Sequence, residues 1–436
     1  MSVTYYFISD LHIGGDEALG VCDFEAELIR FLDEIANEKK DIELIIIGDA
    51  FGLWELTNIH GIDKFNAIIN QFPNIFNAFY RAGEKIKITL LPGNHDYELA
   101  CYPDFVKALK KYNIWLEQKP AITRSIANRR LWIEHGSQYD EANRSPSFGD
   151  PYALPVGYFI TSNMVGKAGR LSGRGHYNWL KDIQSVYPTE MIPDWIMSNY
   201  FYHEMSPLLR WLAMPFLLLS GLTLFVLAGA FLEYFNITGT NIFLDNRFFN
   251  SLGMVGSLFQ MILMINAVVL LMALALSIPL GFIIRDLKRT LIRFGIELDP
   301  AQLTGEKEDS YIHAAGKVFT ENQDIVAFIY GHTHKPSLQQ IDDRLVINTG
   351  TWLKRFERTP PRFGILPSIY VPVFCLNYFR VYAEDTDIII DYCKIDKSPE
   401  IELTLIQHLM VSRKRSPIDS AIAQKTVIHA DEADIT

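Results

Sequence analysis

Residues 42–49 read IELIIIGD, a mostly apolar run that stops abruptly at Gly48 and Asp49. Six residues is the length of a strand, and apolar side chains on both of its faces mark a strand covered on both sides. The pattern repeats outward from this run. Residues 3–10 read VTYYFISD, 86–96 IKITLLPGNHD, 131–136 LWIEHG and 325–334 IVAFIYGHTH. Each apolar run gives way to Asp, Asn or His. Between them, residues 25–35, 62–80 and 104–111 space their apolar positions as helices do. Strands alternating with helices predict an α/β fold, in which ligand and catalytic groups gather where strands stop. Residues 371–381 and 387–395 predict a further strand pair around Ala383-Glu384-Asp385.

Composition narrows the class. The chain has 436 residues, of which 49% are hydrophobic and 13% aromatic, which excludes a disordered polymer. Lys+Arg 40 against Asp+Glu 51 gives a net charge of −11, so no nucleic-acid partner is expected. Cys22, Cys101, Cys375 and Cys393 are scattered, with no CxxC pair. They predict reduced thiols in a cytosolic setting, neither a disulfide framework nor a zinc–cysteine site. The N-terminus, MSVTYYFISDLH, lacks the basic region and long apolar run of a cleaved signal peptide.

Two stretches break the α/β rhythm. Residues 211–232 and 248–284 carry no charge, and the core of the second is 260–282. A bilayer span needs about 20 mostly apolar residues, so a transmembrane hairpin over 208–285 is predicted. Arg210 precedes the pair, and Arg285, Lys288, Arg289 and Arg293 follow it, while the connecting loop offers only Arg247. The positive-inside rule then predicts an integral membrane protein with two spans, the lipid bilayer as partner, and the segments on either side of the pair in the cytoplasm. Two spans return the chain to its starting side, so residues 1–200 and 290–395 can form one domain. Residues 396–436 are read as a flexible tail containing the basic stretch Arg413-Lys414-Arg415. Asn236-Ile237-Thr238 matches a glycosylation sequon but carries no weight as a three-residue match.

The chemistry lies in five strand-end motifs: Asp10-Leu11-His12, Gly48-Asp49, Gly93-Asn94-His95-Asp96, His135-Gly136 and Gly331-His332-Thr333-His334. Of 11 histidines in the chain, five fall here. Asp10, His12, Asp49, Asn94, His135, His332 and His334 are ligand types that suit manganese, iron or zinc. Seven exceed what one open catalytic ion takes and suit two divalent ions sharing a bridge. Asp49, alone on its strand end, is the candidate bridge. His95, beside Asn94, falls close to a phosphoryl group held there.

In that order, the motifs resemble the signature of the calcineurin-like metallophosphoesterases: D-x-H, G-D, G-N-H-D/E, H and G-H-x-H. The resemblance implies a four-layer α/β/β/α sandwich that hydrolyses phosphoesters with two divalent ions, manganese first, with iron or zinc as alternatives. It implies Asp10, His12, Asp49 and His334 around one ion, and Asp49, Asn94, His135 and His332 around the other. It also implies a catalytic His95, oriented by Asp96. Asn348-Thr349-Gly350-Thr351-Trp352 resembles the family's closing strand, read as structural support with substrate contact open at Thr349 or Thr351.

Within the family, Gly48-Asp49-Ala50-Phe51-Gly52-Leu53-Trp54-Glu55 and His135-Gly136-Ser137-Gln138-Tyr139-Asp140 are similar to stretches of the UDP-2,3-diacylglucosamine diphosphatases. That group carries arginine where this chain has His95. The likeness implies a lipid-linked phosphate or diphosphate substrate. Residues 166–176 hold four glycines and Lys167, Arg170 and Arg174, a candidate phosphate clamp or a contact for anionic headgroups. Tyr158, Phe159 and Trp179 are candidates for an acyl groove or for interfacial anchors. A second reading keeps the hydrolase and makes the substrate a soluble nucleotide or phosphoprotein. A third is an inactive membrane scaffold or sensor, which the presence of all seven ligand types argues against.

Overall fold

The run that opens the sequence argument forms strand β2 (Ile42–Ile47), paired in parallel with β1 (Thr4–Ile8) and β3 (Lys87–Leu91). This is seen in a computed structural model that describes residues 3–15, 19–20, 22–165, 180, 182–186, 191–245, 247–293, 307–362, 366–397, 403–411 and 422–429. Every residue of β2 is buried, because each face meets a different layer. Leu44 and Ile46 pack with Leu28, Phe31, Phe65 and Phe76 of helices α1 (Glu25–Ala36), α2 (Ile62–Gln71) and α3 (Pro73–Gly83). Ile45 and Ile47 face the other way, into a core shared with a second sheet. Each such side chain contributes about 1.5–3 kcal/mol on full burial. Glu43 interrupts the apolar run without disrupting it. Arg124 grips its carboxylate through Nε (3.0 Å) and Nη2 (2.7 Å), and Thr89 Oγ1 donates at 2.6 Å.

The first sheet adds β4 (Ile114–Leu116), β12 (Leu376–Glu384), β13 (Asp387–Ile395) and β14 (Lys425–Ile428), in the order β14-β13-β12-β1-β2-β3-β4. The second contains β5 (Ala121–Ile126), β6 (Arg129–Glu134), β7 (Ile325–Tyr330), β8 (Ser337–Ile341) and β9 (Arg344–Asn348), in the order β5-β6-β7-β9-β8. Strands β10 (Arg355–Thr359) and β11 (Ile369–Val373) form a separate antiparallel pair. Helix α4 (Pro103–Lys110) packs beside α1–α3, while a helix further along, Lys307–Glu321, covers the outer face of the second sheet with Ala315, Val318 and Phe319. The layers therefore run helix, sheet, sheet, helix. Pairing of β1 with β12 and of β6 with β7 joins chain on both sides of the apolar stretches into the same two sheets.

One predicted helix is two. Residues 62–80 divide at Phe72, where α2 ends, and Pro73 opens α3. Proline has no N–H to continue the first helix and suits the first turn of the second.

The apolar stretches form helices α5 (Pro207–Tyr234) and α6 (Gly253–Arg293), and Lys307–Glu321 is α7. Two helices are thus long and apolar enough to cross a membrane, and in the most apolar window of α6 no residue is buried. They are not a hairpin hidden in a soluble core. Asn266 Nδ2 bridges them, donating to Phe216 O (2.9 Å) and Thr223 Oγ1 (3.1 Å). The Glu233 carboxylate closes the connecting loop by accepting from the backbone N–H groups of Ile242, Phe243 and Leu244. At the other end of α5, Met214, Leu217 and Leu218 pack with Ile369 and Val371 of β11. The base of the hairpin is therefore fixed to the α/β body.

Candidate metal centre

All seven predicted ligands come together at the ends of β1, β2, β3, β6 and β7. Backbone strain marks the spot. Among the described residues, twelve non-glycine residues have positive φ, and five are Asp10, His12, Asp49, His332 and His334. The left-handed region is costly for side-chain-bearing residues and is held only where the surroundings impose it.

Asp49 lies between two groups of ligands. Its Oδ1 accepts from the backbone N–H of His95 at 2.7 Å. Its Oδ2 lies 3.7 Å from His12 Nε2 and 3.2 Å from His135 Nε2. On one side, Asp10, His12 and His334 converge; on the other, Asp49, His135 and His332. Asn94 Oδ1 sits 3.0 Å from His135 Nε2. Asp10 Oδ1 is buried without a hydrogen bond, 3.3 Å from His334 Nε2, while His12 Nε2 and His334 Nε2 face one another at 3.2 Å. Converging lone pairs around an unpaired carboxylate oxygen fit divalent cations.

The electrostatics agree with ligand duty. Burial alone would raise Asp49, but His135, His95 and His12 around it hold the carboxyl well below the usual range. Burial lowers His12 and His332, leaving their imidazoles neutral. His135 is the exception: burial would lower it, but the Asp49 carboxylate outweighs burial and raises the imidazole to about 10, so a bound cation would take the place of its Nε2 proton while Nδ1, 2.9 Å from Ile47 O, keeps its own.

Supporting residues hold these ligands in place. Asp10 Oδ2 accepts from Ser9 Oγ and from His332 N (3.0 Å). Thr349 Oγ1 donates to Ser9 Oγ (2.7 Å), and Thr351 Oγ1 to Asp10 O (2.6 Å). Thr349 and Thr351 are thus engaged in the scaffold around Asp10. Asp140, given no role from sequence, places Oδ2 3.3 Å from His332 Nε2.

Asp96 departs from expectation. It does not orient His95. Its carboxylate takes the backbone N–H groups of Gly93 (2.6 Å), Ala50 (2.8 Å) and Phe51 (3.3 Å), tying the two motif loops together. Those three N–H groups, and not the His95 ring, are the hydrogen-bond partners of the Asp96 carboxylate. The partner of His95 is Glu55, whose Oε1 lies 2.8 Å from His95 Nδ1. Burial would lower His95, but Glu55 outweighs it and raises the imidazole to about 9. The signal for Glu55 was a lone acidic residue after a tryptophan, six positions beyond Asp49. Lys167, Arg170, Arg174 and Trp179 lie outside the described residues.

Close packing leaves this centre no room for a methyl group. A Cβ on Gly93 would lie 2.2 Å from Asp49 Oδ1. Gly93→Ala is therefore expected to displace the carboxylate and lower turnover about a hundredfold, the scale of a misplacement of about 1 Å. Circular dichroism should stay native, and a variant of unchanged turnover would show that Asp49 tolerates the shift.

Residues 3–228, more than half of the chain, match the family of calcineurin-like phosphoesterases. The chain belongs to that family. It is a metal-dependent phosphoester hydrolase. A search among curated proteins finds no match. Solved structures that match the chain include a predicted phosphoesterase from Streptococcus pneumoniae TIGR4, at 10% identity over 90% of both chains with a TM-score of 0.27. Vps29 complexed with Zn2+ from Entamoeba histolytica shows 10% identity over 92% of this chain and 98% of its own, with a TM-score of 0.27. Phosphopantetheinyl hydrolase from Mycobacterium tuberculosis shows 11% identity over 80% and 90%, with a TM-score of 0.26. Likeness at this level adds nothing to the family assignment.

Proposed function

We propose that this phosphoesterase binds two divalent ions, manganese first, and hydrolyses a phosphoester or diphosphate bond in a lipid-linked substrate such as UDP-2,3-diacylglucosamine. The carrying observation is Asp49, with one oxygen tied to the backbone and the other between His12 and His135. Asp10, His12 and His334 would hold one ion and Asn94, His135 and His332 the other, with Asp49 available to both. When bound, such ions neutralise phosphoryl charge and lower the pKa of water to about 7. The remaining work belongs to side chains. Glu55 holds His95 Nδ1, leaving Nε2 to face the phosphoryl group. Protonated, His95 donates from Nε2 to the leaving oxygen. Its ring stands edge-on to His12, 4.6 Å between centroids, which keeps it beside the ligands.

The exposed apolar helices α5 and α6 support a transmembrane hairpin with the catalytic domain on the cytoplasmic side, where the flanking cations lie. Docking of the hairpin base on β11 keeps the domain at the bilayer surface, where a lipid-tailed substrate resides. The test uses full-length protein in detergent with manganese, given UDP-2,3-diacylglucosamine or bis(p-nitrophenyl) phosphate, with products identified by mass. Release of UMP from the lipid is expected. Cleavage of the small ester alone would sink the lipid reading and favour a soluble substrate. Release of the protein from membranes by carbonate would sink the hairpin.

A further inference from the structure

The loop after β6 carries one ligand of the metal centre and reaches another. His135 follows the strand, Gly136 turns the chain with a φ of 102°, and Asp140 closes the short turn Ser137–Tyr139. From there Asp140 Oδ2 faces Nε2 of His332, at the end of β7, across 3.3 Å. Each of the two side chains is 8% exposed. Asp140 is none of the seven ligands and has no part in the chemistry above.

This contact fixes a proton and a ring. A carboxylate oxygen accepts, so His332 Nε2 donates, and a neutral imidazole then keeps its lone pair on Nδ1. His332 N is itself held by Asp10 Oδ2 at 3.0 Å. The residue is thus pinned at its backbone and at the far end of its ring. Asp140 is pinned in turn: its Oδ1 accepts from Ala142 N and its Oδ2 from Asn143 Nδ2, both at 3.1 Å. The same loop reaches the third ligand of this side through Tyr97, whose N–H donates to Asn94 O at 3.3 Å. Tyr97 Oη donates to Ser147 O (2.6 Å) and accepts from Ser145 Oγ (2.9 Å). Residues 135–147 therefore brace Asn94, His135 and His332 together.

We infer that Asp140 is a positioning residue for one ion: by holding His332 through Nε2, it gives the side formed by Asn94, His135 and His332 its grip on a divalent cation. The inference deepens the two-ion reading and rests on it. A carboxylate that takes the second N–H of a ligand imidazole fixes the ring and makes it a stronger base. Away from bulk water such a charge-assisted bond is stronger than at the surface. A carboxylate that served only its own turn would be engaged by Ala142 and Asn143 and would act on no ion. Were Asp140 a ligand itself, its loss would be felt with or without His332.

The probe is manganese alone, titrated into full-length protein in detergent after chelator treatment, with the free ion counted by its paramagnetic resonance signal. The parent is expected to take two ions. Asp140→Ala should weaken one of them about 10–100-fold and leave the other within about twofold. His332→Ala should weaken the same ion, and adding Asp140→Ala to it should cost almost nothing more, because the ring that Asp140 positions is gone. Should Asp140→Ala lower the melting temperature of the metal-free protein, Asp140→Asn makes the same comparison with a smaller loss, since it keeps an acceptor oxygen. Equal weakening of both ions, no weakening, or losses that add in the double variant would overturn the inference. A parent that takes one ion, weakened by loss of Asp140 only when His332 is present, would keep the inference and sink the two-ion reading. No substrate enters the titration, so failure to cleave the lipid would sink the substrate reading and leave Asp140 in its role.

Discussion

Asp49→Asn is expected to lower turnover about a thousandfold, equivalent to about 4 kcal/mol of barrier, and to reduce the manganese retained after gel filtration. The substitution is close to isosteric. An amide oxygen can still accept from His95 N, the bond that Asp49 Oδ1 makes at 2.7 Å. What disappears is the negative charge and the second oxygen, the one placed between His12 and His135. The fold should therefore survive while the shared ligand is lost. Two melting curves separate these effects. Without metal, the variant should melt below the parent, because the imidazoles that hold the Asp49 carboxyl well below the usual range lose their counter-charge. With manganese, the parent should gain stability in proportion to the logarithm of ion concentration over Kd, and the variant should gain less. Unchanged metal content and unchanged turnover would dismiss Asp49 as the bridge.

Much of this centre was legible because the fold places ligands at strand ends, and strand ends are visible as apolar runs that stop. Asp10, Asp49, Asn94, His135, His332 and His334 are all found this way, each within a few residues of a buried strand. Their convergence follows from parallel pairing, which puts the ends of β1, β2 and β3 side by side. The roles of Asp96 and Glu55 were not legible in the same way. Adjacency in sequence suggested that Asp96 serves His95, but the turn after Gly93 sends that carboxylate back to three backbone N–H groups. Glu55 reaches His95 from another loop, and nothing in spacing along one segment encodes that meeting. The arm of β10 and β11 was legible only in part, because residues 371–373, read as the start of one strand over 371–381, end β11, while Leu376 opens β12 in the first sheet. Its strands are half exposed, and Ile369 and Val371 are buried by the hairpin base rather than by the sandwich.

The pairing of Glu55 with His95 leads to the second large effect. His95→Asn should lower kcat by about 10²–10⁴-fold, the usual contribution of a general acid, with little change in metal content. Glu55→Gln should cost about 10–100-fold, as expected of a residue that orients a functional imidazole. A merely structural Glu55 predicts the same loss whether or not His95 is present. A Glu55 that acts through His95 predicts almost no further loss in the double variant, because the group it positions is gone. The pH profile gives an independent reading. Glu55 raises His95 to about 9, so His95 is protonated, and able to donate, below that value. Neutralising Glu55 removes the raising influence while burial still lowers the imidazole. The alkaline limb of kcat should then move to lower pH in Glu55→Gln, and Glu55→Asp should restore part of the shift if its shorter side chain still reaches Nδ1. Additive losses in the double variant, with an unmoved alkaline limb, would return Glu55 to the scaffold and leave His95 without its orienting carboxylate.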